Sequence, residues 1–237
     1  MTISQVNKNM WRRRQSGLYA PKRMNFPPNG LVLYAPLWHP ELSGSPFNAW
    51  DIANGGVHSC TVVGATWTPD GRLFSGGDDY LDLGNILNFG TGDFSIAFWV
   101  NVLTDTDGVV IAKGRHTGAG DILIYCYPNL SFRNNNQTGD EYTYFTDTTV
   151  TGIGWFHGVL TREGATTKAY FNGVLNDTST IETSYDFTNT HKWTIGARED
   201  GTESFLDGYV GEVLMYDKAL TAAEIRNIYY KTKGRYV

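Results

Sequence analysis

The stretch that most constrains this chain is Leu206 to Ile225, Leu-Asp-Gly-Tyr-Val-Gly-Glu-Val-Leu-Met-Tyr-Asp-Lys-Ala-Leu-Thr-Ala-Ala-Glu-Ile. Its first part reads as a strand. Strict alternation places Tyr209, Val213 and Met215 on one face and Val210, Leu214 and Tyr216 on the other. A strand apolar on both faces is central in a layered β structure, because an edge or half-exposed strand would show one polar face. Asp217-Lys218 turns the chain. Thr221 then suits a helix N-cap, and Glu224 three residues later completes a capping box for a short helix whose Ile225 and Ile228 face inward.

The rest of the chain repeats the strand-and-turn pattern. Glycine is abundant (27 residues), aromatics make up 14% and charged residues only 18%, a composition of short strands joined by tight turns. Asp93 to Val102 is the strongest strand, with Ile96, Phe98, Val100 and Val102 on one face and Ala97 and Trp99 on the other. Asp70-Gly71 and Glu163-Gly164 mark turns, and Asn172-Gly173 predicts a type I′ hairpin. At least eleven short strands are expected, in a single domain beginning at Gly30. Phe98, Trp99, Trp155, Phe171 and Tyr209 are its expected shared core.

Several of these segments carry a resemblance. Gly30-Leu-Val-Leu-Tyr34, Gly77-Asp-Asp-Tyr-Leu81, Phe94-Ser-Ile-Ala-Phe-Trp-Val100, the run from Trp155 to Arg162, Asn172-Gly173 and the closing segment stand in the order found in laminin-G-like domains of the concanavalin A-like lectin/glucanase superfamily. The chain resembles that family over about residues 30 to 231. The resemblance implies an all-β fold, a two-sheet antiparallel jelly-roll sandwich (concanavalin A-like) with a short C-terminal helix. One departure matters: the family's Asp before Glu in the closing strand is Gly211 here.

Residues 1–29 do not share this pattern and read as a basic, extended N-terminal arm, followed by the jelly-roll domain over 30–237. Residues 1–40 hold six basic residues and no acid, so a total charge of −5 leaves −11 on the remainder. The acidic body argues against nucleic acid as ligand of the folded domain. The arm's Trp11, Arg12, Arg13, Arg14, Tyr19, Lys22, Arg23 and Phe26 mix cations with apolar anchors, which suits docking onto a protein assembly. No run reaches membrane-spanning length, and the N-terminus shows no secretory h-region, so synthesis in the cytoplasm is expected. Cys60 and Cys126 sit in apolar strands and read either as two buried thiols or as one disulfide.

Glucanases of the superfamily place acid/base and nucleophile on one strand as Glu-x-Asp-x-Glu, which sets carboxylates about 5 Å apart. That spacing is absent, as are a nucleophile elbow and a zinc-type histidine pair. The expected protein is not an enzyme, and a glycoside hydrolase relative is the least favoured alternative. The resemblance also implies one structural Ca²⁺ held by loop oxygens, with Asp51, Asp78, Asp79 and Asp207 as candidates. Sugar binding asks for loop aromatics beside polar partners. Trp38, Trp50, Arg115, His116, Tyr142 and Tyr144 are the candidates for contacts with cell-surface glycans. His157 reads as a core residue beside Trp155. Two functions stand side by side. One is a non-catalytic interaction protein docked through its arm onto a larger assembly, such as a bacteriophage virion or tail accessory protein. The other is a soluble lectin-like carbohydrate-binding module.

Overall fold

The computed structural model describes residues 26–237, apart from residue 28 and the short stretches 52–55, 105–106, 116–117, 119, 127–128, 136–139, 182–183, 200 and 202. Sixteen strands form among the described residues: β1 (Leu31–Pro36), β2 (Phe47–Asp51), β3 (Gly56–Val63), β4 (Thr66–Thr68), β5 (Gly71–Ser75), β6 (Tyr80–Gly84), β7 (Phe94–Val102), β8 (Val109–Lys113), β9 (Ile122–Cys126), β10 (Asn129–Asn135), β11 (Asp140–Thr149), β12 (Phe156–Glu163), β13 (Thr166–Phe171), β14 (Val174–Thr180), β15 (Trp193–Ile195) and β16 (Asp207–Tyr216). One helix, α1 (Ala222–Thr232), follows β16.

The strands form two antiparallel sheets. The first runs β14-β13-β12-β7-β16-β1-β2-β3, and the second β6-β15-β8-β9-β10-β11. Strand β3 joins them: its first half pairs with β2 and its second half with β6. This is the jelly-roll sandwich the sequence implies.

Strand β16 is central, as its two apolar faces require. It pairs along its length with β7, and on its other edge first with β5 and then with β1. The opening and closing strands of the domain are therefore neighbours, Leu33 opposite Met215. The strict alternation expected for β16 fails at one point. The register against β7 shifts between Val210 and Glu212, so Gly211 is an extra residue in the ladder. A bulge of this kind flips the faces beyond it. Val210, Val213 and Met215 all enter the core between the sheets, while Leu214 and Tyr216 join a second cluster on the outer face.

That outer face is covered by α1. Ile225 and Ile228 bury against Leu31, Tyr34, Ala97, Val159, Tyr170, Leu214 and Tyr216. The capping box forms as the sequence predicts: Thr221 Oγ1 accepts from Glu224 N at 3.2 Å, and Glu224 Oε2 accepts from Thr221 N at 2.9 Å. Phe26 also seats here, edge-on to the Tyr34 ring at 5.4 Å. The hairpin between β13 and β14 places Asn172 and Gly173 at φ 50° and 80°, both in the left-handed region that a type I′ turn demands.

The expected core needs correction. Phe98 lies between the sheets, and Phe171 packs partly buried against that core. Trp99, Trp155 and Tyr209 instead lie outside the first sheet, where they meet the C-terminal segment. Tyr236 stacks on Trp99 at 4.6 Å and packs against Trp155 at 4.8 Å, and Trp155 packs against Tyr209 at 6.1 Å. Alternation on β7 already puts Trp99 opposite Phe98; what it cannot say is that a helix and tail return to cover that side. His157 is fully buried as expected, but against Trp99 at 5.3 Å and Tyr229 at 5.9 Å. Cys60 and Cys126 are both free and buried, which selects the two-thiol reading.

Candidate functional site

Four loops meet at one end of the second sheet, and they do so around two buried charges. The first is Lys113, the last residue of β8 and fully buried. Its ammonium donates to Asn85 Oδ1 at 2.9 Å, Ile86 O at 3.3 Å and His191 O at 2.7 Å. Three acceptors match its three donors, which is what makes a buried lysine tolerable. Burial still lowers its pKa to about 8, opposed by the negative charge of Glu199. The second is Asp121, also fully buried. Its Oδ2 accepts from Arg115 N and Gly118 N, each at 3.1 Å, so both amides close on the carboxylate. Gly114 is required for this: at φ 118° a Cβ would lie 2.0 Å from Asp121 Oδ1.

This framework presents three side chains at the surface. Arg115 Nε donates to Glu199 Oε2 at 3.1 Å, and His191 Nδ1 lies 3.4 Å from the same oxygen. His191 Nε2 lies 3.9 Å from Asp121 Oδ1, an oxygen with no hydrogen-bond partner among the described residues. The Arg115, His191 and Glu199 side chains are 50%, 33% and 13% exposed, so the group is open to solvent while its base is closed. Glu199 is held by the bond from its N–H to Gly114 O at 3.3 Å, and His191 by the bond from its N–H to Asn189 Oδ1 at 3.0 Å. Beside them Lys192 Nζ pairs with Asp82 at 2.6 Å, and Arg198 donates to Tyr125 OH at 2.8 Å while pairing with Glu203. A guanidinium, an imidazole and a carboxylate on one rim provide the donors and acceptors that polar ligand recognition uses.

Among the described residues, the glycan candidates Trp38, Arg115 and Tyr144 lie apart. Arg115 belongs to this rim. Trp38 is on the outer face of the first sheet, donating to Glu212 Oε2 at 3.4 Å with the Arg235 guanidinium 3.4 Å over its ring. Tyr144 is exposed on β11, where its backbone N–H and C=O are taken by Asp177 and Asn176 of β14. His116 and the side chains of Trp50, Asp51 and Tyr142 lie outside the described residues, as do Trp11, Arg12, Arg13, Arg14, Tyr19, Lys22 and Arg23 of the arm. Asp121, His191 and Glu199 were missed by sequence reasoning. Arg115 stood among the glycan candidates, but nothing local ties it to residues 191 and 199.

Among the described residues, the calcium candidates Asp78, Asp79 and Asp207 form no cluster of three. Asp79 Oδ2 accepts from Ser75 N at 2.8 Å, Asp207 Oδ2 accepts from Thr104 Oγ1 at 2.6 Å, and Asp78 is exposed. Among the described residues no group of three or more His, Cys, Asp or Glu could hold a metal ion. The described carboxylates therefore do not fit a carboxylate-built Ca²⁺ site. No helix among them is long and apolar enough to cross a membrane.

Fold and site together define a two-sheet jelly-roll domain with a loop rim at one end of its second sheet. Residues 75–226 match the laminin-G model of the concanavalin A-like lectin/glucanases superfamily, and the chain belongs to that family. No curated protein matches the sequence. Solved structures share the fold. Domain 4 of AbnA, a GH43 extracellular arabinanase from Geobacillus stearothermophilus in complex with arabinotriose, superposes with TM-score 0.60 at 16% identity, over 84% of this chain and 97% of that one. Trypanosoma rangeli sialidase in complex with sialic acid gives 0.65 at 16% identity, over 87% of this chain and 33% of that one. The binding domain of botulinum neurotoxin DC in complex with SialylT gives 0.60 at 15% identity, over 87% and 52%. Enzyme-associated and binding domains both occur among these neighbours, and none of them assigns catalysis to this chain.

Proposed function

We propose that this chain is a non-catalytic, lectin-like carbohydrate-binding module whose rim of Arg115, His191 and Glu199 holds saccharide hydroxyls. The observation that carries the reading is the rim itself: three hydrogen-bonding groups, open to solvent, on a base fixed by Lys113 and Asp121. Preorganised polar groups lose little freedom on binding, which lowers the ordering cost of association. Family membership and the arabinotriose-bound domain support the class of ligand. An array of arabino-oligosaccharides and sialylated glycans, probed with the full chain in calcium and again in chelator, tests it. At least one saccharide should bind, and Glu199→Gln should weaken that binding about tenfold or more, since a hydrogen bond to a charged group is worth about 1.5–3 kcal/mol. A blank array in both conditions refutes the reading.

A second reading has one observation in its favour. Phe26, the last apolar anchor of the basic arm, is buried against Tyr34 beside α1. An arm fixed at its root in this way suits an interaction protein docked onto a larger assembly, such as a virion or tail accessory protein. Deleting residues 1–25 should then abolish co-sedimentation with the assembly while leaving the melting temperature unchanged. Retained co-sedimentation removes the docking role.

A further inference from the structure

The C-terminal segment after α1 covers a buried carboxylate. Lys233–Arg235 form a 3-10 turn, and Tyr236 then lays its ring over Gly211 of β16, between Trp99 and Trp155. Thr232 Oγ1 accepts from Trp99 Nε1 at 2.7 Å, and Arg235 stacks on Trp38. Beneath lies Glu212, on the first sheet's outer face. Its Oε2 accepts from Tyr34 OH at 3.1 Å and Trp38 Nε1 at 3.4 Å. Its Oε1 has no partner among the described residues, and neither have the hydroxyls of Tyr216 and Tyr236. A protonated carboxyl fits such surroundings, because it brings no charge and adds a donor; a carboxylate brings an anion that water no longer reaches.

We propose that residues 233–237 form a proton-controlled latch, closed over Glu212 when that carboxyl is protonated and released when it ionises. The segment is the thinnest cover over the group: Gly234, Arg235 and Val237 are exposed, and only the Tyr236 ring is inserted. The titratable and charged groups facing Glu212 are few. They are Tyr34 from β1, Tyr216 from its own strand, and Arg235 and Tyr236 from the latch, with Asp70 of the β4–β5 turn acting on Tyr236. Arg235 is the one cation among them and favours the ionised form, but burial outweighs it and raises the carboxyl to about 7. With the latch open, the group returns toward the ordinary glutamate value of about 4.3. The closed state therefore binds the proton more tightly. Opening grows more favourable as pH rises between those two values and levels off above about 7.

Amide hydrogen exchange across pH 5 to 8, corrected for intrinsic rates, tests this on the full chain. The Tyr236 and Val237 amides donate to Lys233 O at 2.9 and 2.8 Å, so they report the closed latch. Their protection should fall at least tenfold from pH 5 to 7 and then flatten, while β7 amides stay more protected at every pH. Glu212→Gln should give a tail whose protection does not change with pH. Tyr236→Ala supplies the open reference, seen as altered fluorescence of Trp99 and Trp155. PH-independent protection in the wild type overturns the latch, as does a tail that exchanges only together with β7. The wild-type series decides the matter even where the Gln variant folds poorly.

Discussion

Gly211 faces the Tyr236 ring, and this pair offers a sharp test of how the closing strand and the tail fit. A Cβ at residue 211 would lie 2.4 Å from Tyr236 Cε1 and 2.5 Å from its hydroxyl, inside any real contact distance. Residue 211 is not among the glycines with left-handed backbone, so alanine there brings no left-handed strain, and the Tyr236 ring is what its Cβ meets first. The strand is held by β7 on one side and cannot retreat; the tail can. Gly211→Ala therefore expels the Tyr236 ring. What is lost is the ring's burial, about 2 kcal/mol, and its contacts with Trp99 and Trp155, about 0.5–1.5 kcal/mol each. The total is about 3–5 kcal/mol, with the latch itself as the ceiling. Tyr236→Ala should cost a similar amount, since it removes the same contacts. The double variant should cost little more than either single one, a coupling of about 3 kcal/mol between the two sites. Urea denaturation of the four proteins at pH 6 measures it. Additive costs would show that Gly211 matters for the strand and not for the tail, and the argument would fail.

Two further outcomes follow from buried groups. His157 is fully buried with neither ring nitrogen partnered among the described residues, and desolvation lowers its pKa to about 3. The unfolded chain binds that proton near pH 6.5, so His157 removes stability as pH falls from about 6.5 to 3, by several kcal/mol in full. His157→Phe should flatten this acid limb in pH-dependent melts without lowering stability at pH 7; an unchanged limb counts against the assignment. Cys60, whose thiol burial pushes up to about 12, and Cys126 should both resist a thiol reagent in the native protein and react fully in denaturant. Rapid native labelling of either would contradict their burial.

Much of the fold was legible because its signals are local. The β7 alternation, the Asn172-Gly173 turn and the Thr221–Glu224 box each lie within a few residues, and each formed as read. The failures share one cause. The bulge at Gly211 is invisible to a period-two count, because nothing in Tyr-Val-Gly-Glu-Val announces an extra residue, and one slip moves Val210 and Val213 onto the same side. Nothing in the residues around Glu212 marks it as buried. Its burial depends on Tyr34, Trp38 and Tyr236, the first two more than 170 residues away in sequence.

The sequence by itself determined the class of fold, the order of its elements, the family, and the helix that closes it. Strand period, turn chemistry and capping are properties of short segments, and they survive wherever the segment is placed. Only the tertiary structure decided which loops meet. Arg115, His191 and Glu199 converge because Lys113 and Asp121, buried where four loops meet, must find acceptors and donors in chain far from their own. Only the tertiary structure gave Gly211 its role as well. Where the family carries a carboxylate, this chain keeps an open backbone, and the ring of Tyr236 lies across it.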